Sequence, residues 1–378
     1  MNEIYLDHAA TTPMSEHVIA AMTEAMRDVY GNASSIHGAG RTARKALDEA
    51  RATLARSIGA KPNEILLTSG GTEADNTAIF GVAAARQHEG KHIITTQIEH
   101  HAVLHACAQL EKQGYDVTYL PVNEKGVVAV KDVQRALRDD TILVTIMYGN
   151  NEVGSVQPIA AIGELLQAHT ATFHTDAVQA YGIVPLDVDA LRVDLLSVSA
   201  HKLNGPKGIG FLYVRAGVKC VNLLYGGSQE RKRRAGTENV PAAVGFAVAV
   251  DEAIAKRDEA NAAYKRYREL LTTTFTNAGL NFRVNGEEGL LHVLNVTFVG
   301  TDVESFLINL DMSGVLVSSG SACTAGAIDP SHVLVAMFGS DAEELRSSIR
   351  FSFGQGLSDE IIQEAANRVV AIVQRLVK

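Results

Sequence analysis

Two residues, Asp176 in FHTDAVQ and Lys202 in SVSAHKLNGPKG, carry the first chemical signal of the sequence. Each closes an apolar, β-rich run. A carboxylate at the end of such a run is costly to shelter without a cationic partner. On two parallel strands, both side chains would reach the carboxyl edge of a sheet, where α/β folds bind their ligands. There a lysine and an aspartate suit a pyridoxal phosphate site, the lysine as Schiff-base amine and the aspartate as partner of the pyridine nitrogen. At 4 Å such a charge pair is worth about 1 kcal/mol in water and about 4 kcal/mol at an effective dielectric near 20. The larger figure is about three pKa units, enough to hold a pyridine nitrogen protonated at neutral pH. Asp176 must therefore be sheltered. Taken singly, the two residues read as a structural ion pair and a surface lysine.

A second group is Ser69-Gly70-Gly71-Thr72-Glu73, between the strand run EILLT and the helical pattern EADNTAIFGVAAA. A strand, a glycine turn and a helix start together make an anion site, because free N–H groups and the positive end of the helix dipole point the same way. Tight turns use the same residues, so alone this motif is weak. The third group is Ser318-Ser319-Gly320-Ser321-Ala322-Cys323-Thr324-Ala325-Gly326. Small residues on both sides of Cys323 offer no bulk to bury it, and the expectation is a mobile, exposed thiol. Unassisted, it is only a few per cent thiolate at pH 7, so a basic or cationic group is expected to meet it.

Elements able to hold these groups alternate along the chain. Short β-rich runs fall at 64–69, 92–96, 117–122, 141–148, 171–178, 194–200 and 208–214, with helical segments between several of them. One such segment, 158–169, places Ile159, Ile162, Leu165 and Leu166 on one face. Alternation of this kind predicts a largely parallel sheet covered on both faces. From 242 to about 277 the pattern is one long helix. Strands are then predicted near 290–299 and 349–353, and a closing helix from about Ser358 with Ile362, Ala366, Val369 and Val373 on its apolar face. The expectation is a large α/β domain and a smaller α+β domain, with residues 14–258 in the first and 1–13 plus 259–378 in the second.

The 378 residues carry 34 Lys+Arg and 43 Asp+Glu, a net charge of −9 that argues against direct nucleic-acid binding. The start MNEIYLDHAA lacks the pattern of a secretory leader, and VPAAVGFAVAV is too short to span a bilayer, so no membrane role is expected. Three cysteines, Cys107, Cys220 and Cys323, cannot make a disulfide framework, which suits a reducing, cytoplasmic setting. His88-Glu89-Gly90-Lys91-His92 matches a zinc-protease pattern, but Gly90 falls where the helix should end, so no metal is expected. His101 and His105 read as solvated helix residues, and Cys107 as a core residue. Cys220 has no polar partner in view. The sequons at Asn32 and Asn295 read as chance.

Ten segments in fixed order then carry a resemblance: YLDHAATTP, GNASSIHGAGR, TSGGTEADN, EHHAVL, NNEVGSVQPI, HTDAVQ, SAHKLNGPKGIG, RAGTEN, SSGSACTAG and IRFSFG. Over nearly its whole length the sequence resembles the cysteine desulfurases of the class V aminotransferase family, enzymes of PLP fold type I, in the group with a long SSGSAC loop. The resemblance implies a mostly parallel seven-stranded sheet in the large domain. It implies pyridoxal 5'-phosphate held through Lys202, with Asp176 on the pyridine nitrogen, Gln179 on the phenolic oxygen, and His100 on the ring and in proton transfer. Gly71, Thr72, Ser199 and His201 would hold the phosphate, completed by Thr237 from the other subunit of a homodimer. Asn151 and Arg350 would position the substrate, Asn151 also touching the cofactor, Arg350 clamping the carboxylate in bidentate fashion, and Asn32 contributing to the same end of the pocket.

The activity implied is removal of sulfur from L-cysteine, giving L-alanine and a persulfide on Cys323. An acceptor protein for iron–sulfur cluster assembly, or for tRNA or cofactor thiolation, would take the sulfur. Selenocysteine lyase or another class V aminotransferase is the alternative on the same fold, and a non-catalytic sulfur carrier the alternative outside enzymes. Two departures, Ala33 and Ser228, look tolerable. The four basic residues Arg231 to Arg234 read first as a solvated loop, and second as a contact for an acidic acceptor.

Overall fold

The computed structural model describes residues 3–286, 289–319, 323–324, 327–328 and 330–377, with backbone alone at 323–324 and 327–328. Its strands are β1 (Ile4–Tyr5), β2 (Ile65–Thr68), β3 (His92–Thr96), β4 (Asp116–Leu120), β5 (Thr141–Thr145), β6 (Thr172–Asp176) and β7 (Leu195–Ser199). They continue with β8 (Gly210–Val214), β9 (Phe282–Asn285), β10 (Val293–Phe298), β11 (Val315–Leu316), β12 (Cys323–Thr324), β13 (Ala327–Ile328) and β14 (Ser348–Ser352). Among the described residues, seven strands form one sheet in the order β2-β8-β7-β6-β5-β3-β4. The pairs from β4 to β7 run parallel, and β8 is antiparallel to both of its neighbours.

The continuous apolar runs of the sequence follow from burial on both faces. In β3, Ile93 packs with Val82 and Leu143 on one side, while Ile94 packs with Val144 and Phe173 on the other. Neither face meets water, so the period-two alternation of a half-exposed strand is absent. β9, β10 and β14 form a second, antiparallel sheet. It is covered by the helix Asp359–Leu376, whose Ile362, Ala366, Val369 and Val373 are all buried as the 3.6-residue spacing predicts. The helix Val240–Asn277 joins the two cores. Phe246, Ala249 and Val250 pack on the large sheet's core, whereas Tyr264, Tyr267, Leu271 and Phe275 pack with β10 and β14.

The sequence predicts Lys202 at the end of a strand, but β7 stops at Ser199 and Lys202 closes a 3-10 turn, Ala200–Lys202. The cause is local: the Ala200 carbonyl accepts from the amides of both Leu203 and Gly205, turning the chain back at once. Gly205 lies so close to that carbonyl that a Cβ there would stand 2.7 Å from the oxygen. The first predicted strand of the tail is also shorter than its run, beginning at Val293 rather than Leu290.

The zinc-protease pattern is split as expected. The helix Gly71–Arg86 has ended before His88, and His92 is in β3 with its ring between the hydroxyls of Thr141 and Thr118. His101 and His105 are exposed on the helix His101–Glu111, and no metal-binding cluster occurs among the described residues. Cys107 is buried in the core. Cys220, for which the sequence shows no polar partner, lies 3.4 Å from the Thr77 carbonyl. Asn295 is buried in β10 and bonded through its amide to the Glu152 carbonyl, which removes that sequon from solvent. Among the described residues no helix is long and apolar enough to cross a membrane.

Candidate functional site

β6 and β7 are adjacent and parallel, with Asp176 opposite Ser197. Their carboxyl ends therefore bring Asp176 and the turn carrying Lys202 to one edge of the sheet, beside a cavity of about 380 Å³. Asp176, Lys202, Gln179 and His100 line it, as do Gly71, Thr72, Ser199 and His201. Asn151 and Arg350 close the other end. Ten of the residues singled out in the sequence thus face one space.

The remaining three do not line this space. Asn32 is exposed, and its side-chain oxygen accepts from the Ser34 amide instead. Thr237 is exposed and outside the cavity of its own chain. Cys323 lies in β12, paired with Ile328 of β13, and its side chain falls outside the described residues.

Burial pushes the Asp176 carboxyl up to about 6, opposed by the Val178 amide that it accepts at 2.9 Å and by the Lys202 ammonium. Lys202 is pulled down to about 8, first by burial and then by Arg350, while Asp176 and Asp7 hold it up. Its Nζ donates to the carbonyls of Ala9 and Ala10 at 2.6 and 2.8 Å. A lysine in this state offers an appreciable neutral fraction near neutral pH, as a nucleophilic amine requires.

His100 caps the helix His101–Glu111, its Nδ1 accepting from the Ala102 amide at 3.1 Å. Burial, then Lys202, brings this imidazole down to about 4, so it is neutral at pH 7. Because Nδ1 is an acceptor, the one proton sits on Nε2. His201 is likewise lowered to about 4, chiefly by burial, with its Nδ1 3.1 Å from the Thr11 hydroxyl.

The anion cradle is made by the break before the helix Gly71–Arg86. Gly70 has φ +150°, a value suited to glycine, and a Cβ on Gly71 would meet Val178 Cγ2 at 2.9 Å. Only glycine lets the first turn approach this close, which leaves its free N–H groups beside Ser199. Arg350, on β14, donates through Nη2 to Asp7 Oδ1 at 2.7 Å and through Nη1 to the Asn151 carbonyl at 3.0 Å. Its buried Nε has no partner among the described residues. A guanidinium at the cavity wall, a sheltered carboxylate and a row of helix N–H groups fit a phosphorylated, basic ring bearing an amino acid.

Sequence reasoning did not single out Asp75 or Glu99. Asp75 is 1% exposed, lines the cavity, and has an Oδ1 without a hydrogen-bond partner among the described residues. Burial first, then the Asp176 charge, raises its carboxyl well above the usual range. It stands within the quoted TSGGTEADN, where a polar residue at an apolar helix position was the available signal.

The model of the family "Aminotransferase class-V" matches residues 4–364. A Bacillus subtilis (strain 168) protein provisionally named cysteine desulfurase IscS 1 is 59% identical over 378 residues, covering 100% of both chains. A solved "NifS-like protein" superposes with a TM-score of 0.93 at 34% identity, covering 99% of this chain and 100% of that one. A second, described as SspA in complex with cysteine, gives a TM-score of 0.82 at 38% identity over 92% of this chain and 98% of its own.

Proposed function

The chain belongs to the class-V aminotransferase family, and from that premise we propose that it works as a cysteine desulfurase with pyridoxal 5'-phosphate as cofactor. Sulfur leaves L-cysteine, L-alanine remains, and the sulfur passes through a persulfide on Cys323 to an acceptor protein. The observation that carries this reading is the convergence of Asp176, at the end of β6, and Lys202, on the turn after the adjacent parallel β7, on one cavity with His100 and a helix N-terminus.

The bound cofactor supplies an aldehyde that amines can add to and a protonated ring that withdraws electrons from the substrate α-carbon. Lys202 would hold it covalently and would supply an amine for proton transfer at the α-carbon. Asp176, sheltered as the charge arithmetic requires, is the partner of the ring nitrogen; pairing with a cation reverses the burial effect on its carboxyl. Gln179 would hydrogen-bond the phenolic oxygen. The first-turn amides of Gly71 and Thr72, with Ser199 and His201, hold the phosphate, and Thr237 of a second copy completes that cradle. His100 would stack on the ring and move a proton through Nε2. Arg350 and Asn151 receive the substrate carboxylate.

Cys323 thiolate attacks the sulfur of the substrate. The S–S bond forms as the C–S bond breaks, and the carbon left behind takes up a proton on the way to alanine. A reducing cytoplasmic setting, a homodimer and an acceptor serving iron–sulfur assembly or tRNA thiolation complete the reading.

Two variants test it. Cys323→Ala is expected to keep the cofactor's absorption and lose sulfur transfer from L-cysteine by at least about a hundredfold, the scale of a lost nucleophile. Lys202→Ala is expected to lose the protein-linked absorption band. Sulfide release from L-cysteine at the normal rate by Cys323→Ala, or an unchanged band in Lys202→Ala, would sink the proposal.

A further inference from the structure

We propose that His292 is a positioning residue that, together with the Ala9 carbonyl, fixes which way round the Gln179 amide sits, and so presents an N–H of that amide to the cofactor cavity. This rests on the reading of Gln179 as the ligand of the cofactor's phenolic oxygen. Both residues are buried. His292 immediately precedes β10, while Gln179 follows β6, so the contact joins the two sheets' cores.

The orientation follows from elimination. Gln179 Nε2 donates to the Ala9 carbonyl at 2.9 Å, and the same carbonyl accepts from Lys202 Nζ at 2.6 Å. Turning the amide over would set its oxygen against that carbonyl, two acceptors at hydrogen-bond distance with no proton between them. Gln179 Oε1 therefore faces His292 Nε2, 3.2 Å away. An amide oxygen can only accept, so His292 must carry its proton on Nε2.

The groups around the imidazole keep it singly protonated. Burial comes first, then His8, Arg350, Lys202 and Arg268, and together they lower it to about 3. One proton, held on Nε2, leaves Nδ1 bare, and that atom has no partner among the described residues. One N–H of the Gln179 amide goes to Ala9; the other is left for an acceptor in the cavity. A side chain at position 292 without a donor would leave Oε1 buried and unpaired, with the amide held at its Nε2 end alone. A net loss of one such hydrogen bond corresponds to about a tenfold loss of affinity.

The test uses holoenzyme labelled with 15N-histidine, the His292 signal being assigned by its absence in His292→Gln. The inference expects the Nε2–H tautomer; an Nδ1–H tautomer overturns it. In parallel, His292→Leu is expected to raise the cofactor Kd about tenfold and to displace the absorption maximum of the bound cofactor, with His292→Gln, which keeps an N–H donor, restoring both to within about threefold. Wild-type Kd and absorption in a folded His292→Leu overturn it. Gln179→Leu separates the two layers. If it weakens the cofactor while His292→Leu does not, the positioning role alone fails; if neither variant has an effect, the assignment of Gln179 fails with it.

Discussion

The guanidinium of Arg350 and the carboxylate of Asp7, 343 residues apart in the chain, meet at 2.7 Å inside the site. The contact is built by pairing: β1 lies parallel to β11, Asp7 itself bridges to Ser352 of β14, and Arg350 stands two residues before it. Asp7 thereby fixes the plane of the guanidinium, whose buried Nε has no partner among the described residues.

From this geometry, Asp7→Asn is expected to raise KM for L-cysteine about tenfold, by weakening a charge-assisted hydrogen bond, with a smaller change in kcat. Arg350→Lys is expected to cost more, because an ammonium cannot reproduce a planar fork. Steady-state kinetics of both variants is the check, and an unchanged KM in Arg350→Lys removes the assignment of this residue to the substrate carboxylate.

Glu230, Arg231 and Lys232 occupy three successive left-handed conformations, with φ of 47°, 59° and 65°. Glu230 is pinned there: its carboxylate takes two hydrogen bonds from Arg51, at 2.6 and 2.8 Å, and a third from the Leu67 amide. Lys232 is exposed, and its side chain has no comparable anchor among the described residues. A Cβ in this region costs roughly 1–2 kcal/mol, part of which glycine returns through unfolded-state entropy. Lys232→Gly is therefore expected to stabilise the fold by about 1 kcal/mol, read as a higher urea midpoint. Lys232→Ala should leave the midpoint where it is, since the strain lies in the backbone and not in the ammonium.

Much of the large domain is legible because β3, β5 and β7 are buried on both faces. Runs such as HIITT and TILVT have no helical period and no polar face to confuse the reading. Asp176 and Lys202 stand out for the complementary reason, as charged residues where apolar runs stop. What the sequence hides are contacts between distant segments. Nothing near Asp7 announces Arg350, and Gln179 shows no sign of His292 until the cores are docked. Asp75 is masked differently: it is one polar residue in a mostly apolar helix, and only the packing of Gly71–Arg86 against the sheet shows that its position faces the cavity. The antiparallel insertion of β8 between β2 and β7 is likewise set by tertiary pairing, not by composition.

Glu99, also hidden in the sequence, governs the alkaline side of stability. It is fully buried, its carboxyl accepting from Thr96 Oγ1 at 2.6 Å and from the Met147 amide at 3.0 Å. Burial nevertheless dominates and raises it from 4.5 to about 8. Within that window the folded state keeps a proton that the unfolded chain has released, so this contribution is complete below pH 4.5 and is lost as the pH climbs to about 8. The buried imidazoles act on the opposite limb. His174 and His292 are depressed from 6.5 to about 3, so the unfolded state binds the extra proton and their contribution, whole above pH 6.5, is lost on acidification. Glu99→Gln, which mimics the protonated acid, should therefore match wild type most closely near pH 5 and gain on it steadily toward pH 8. Urea midpoints measured across that range test this; a difference that stays constant with pH means that Glu99 gains no proton on folding.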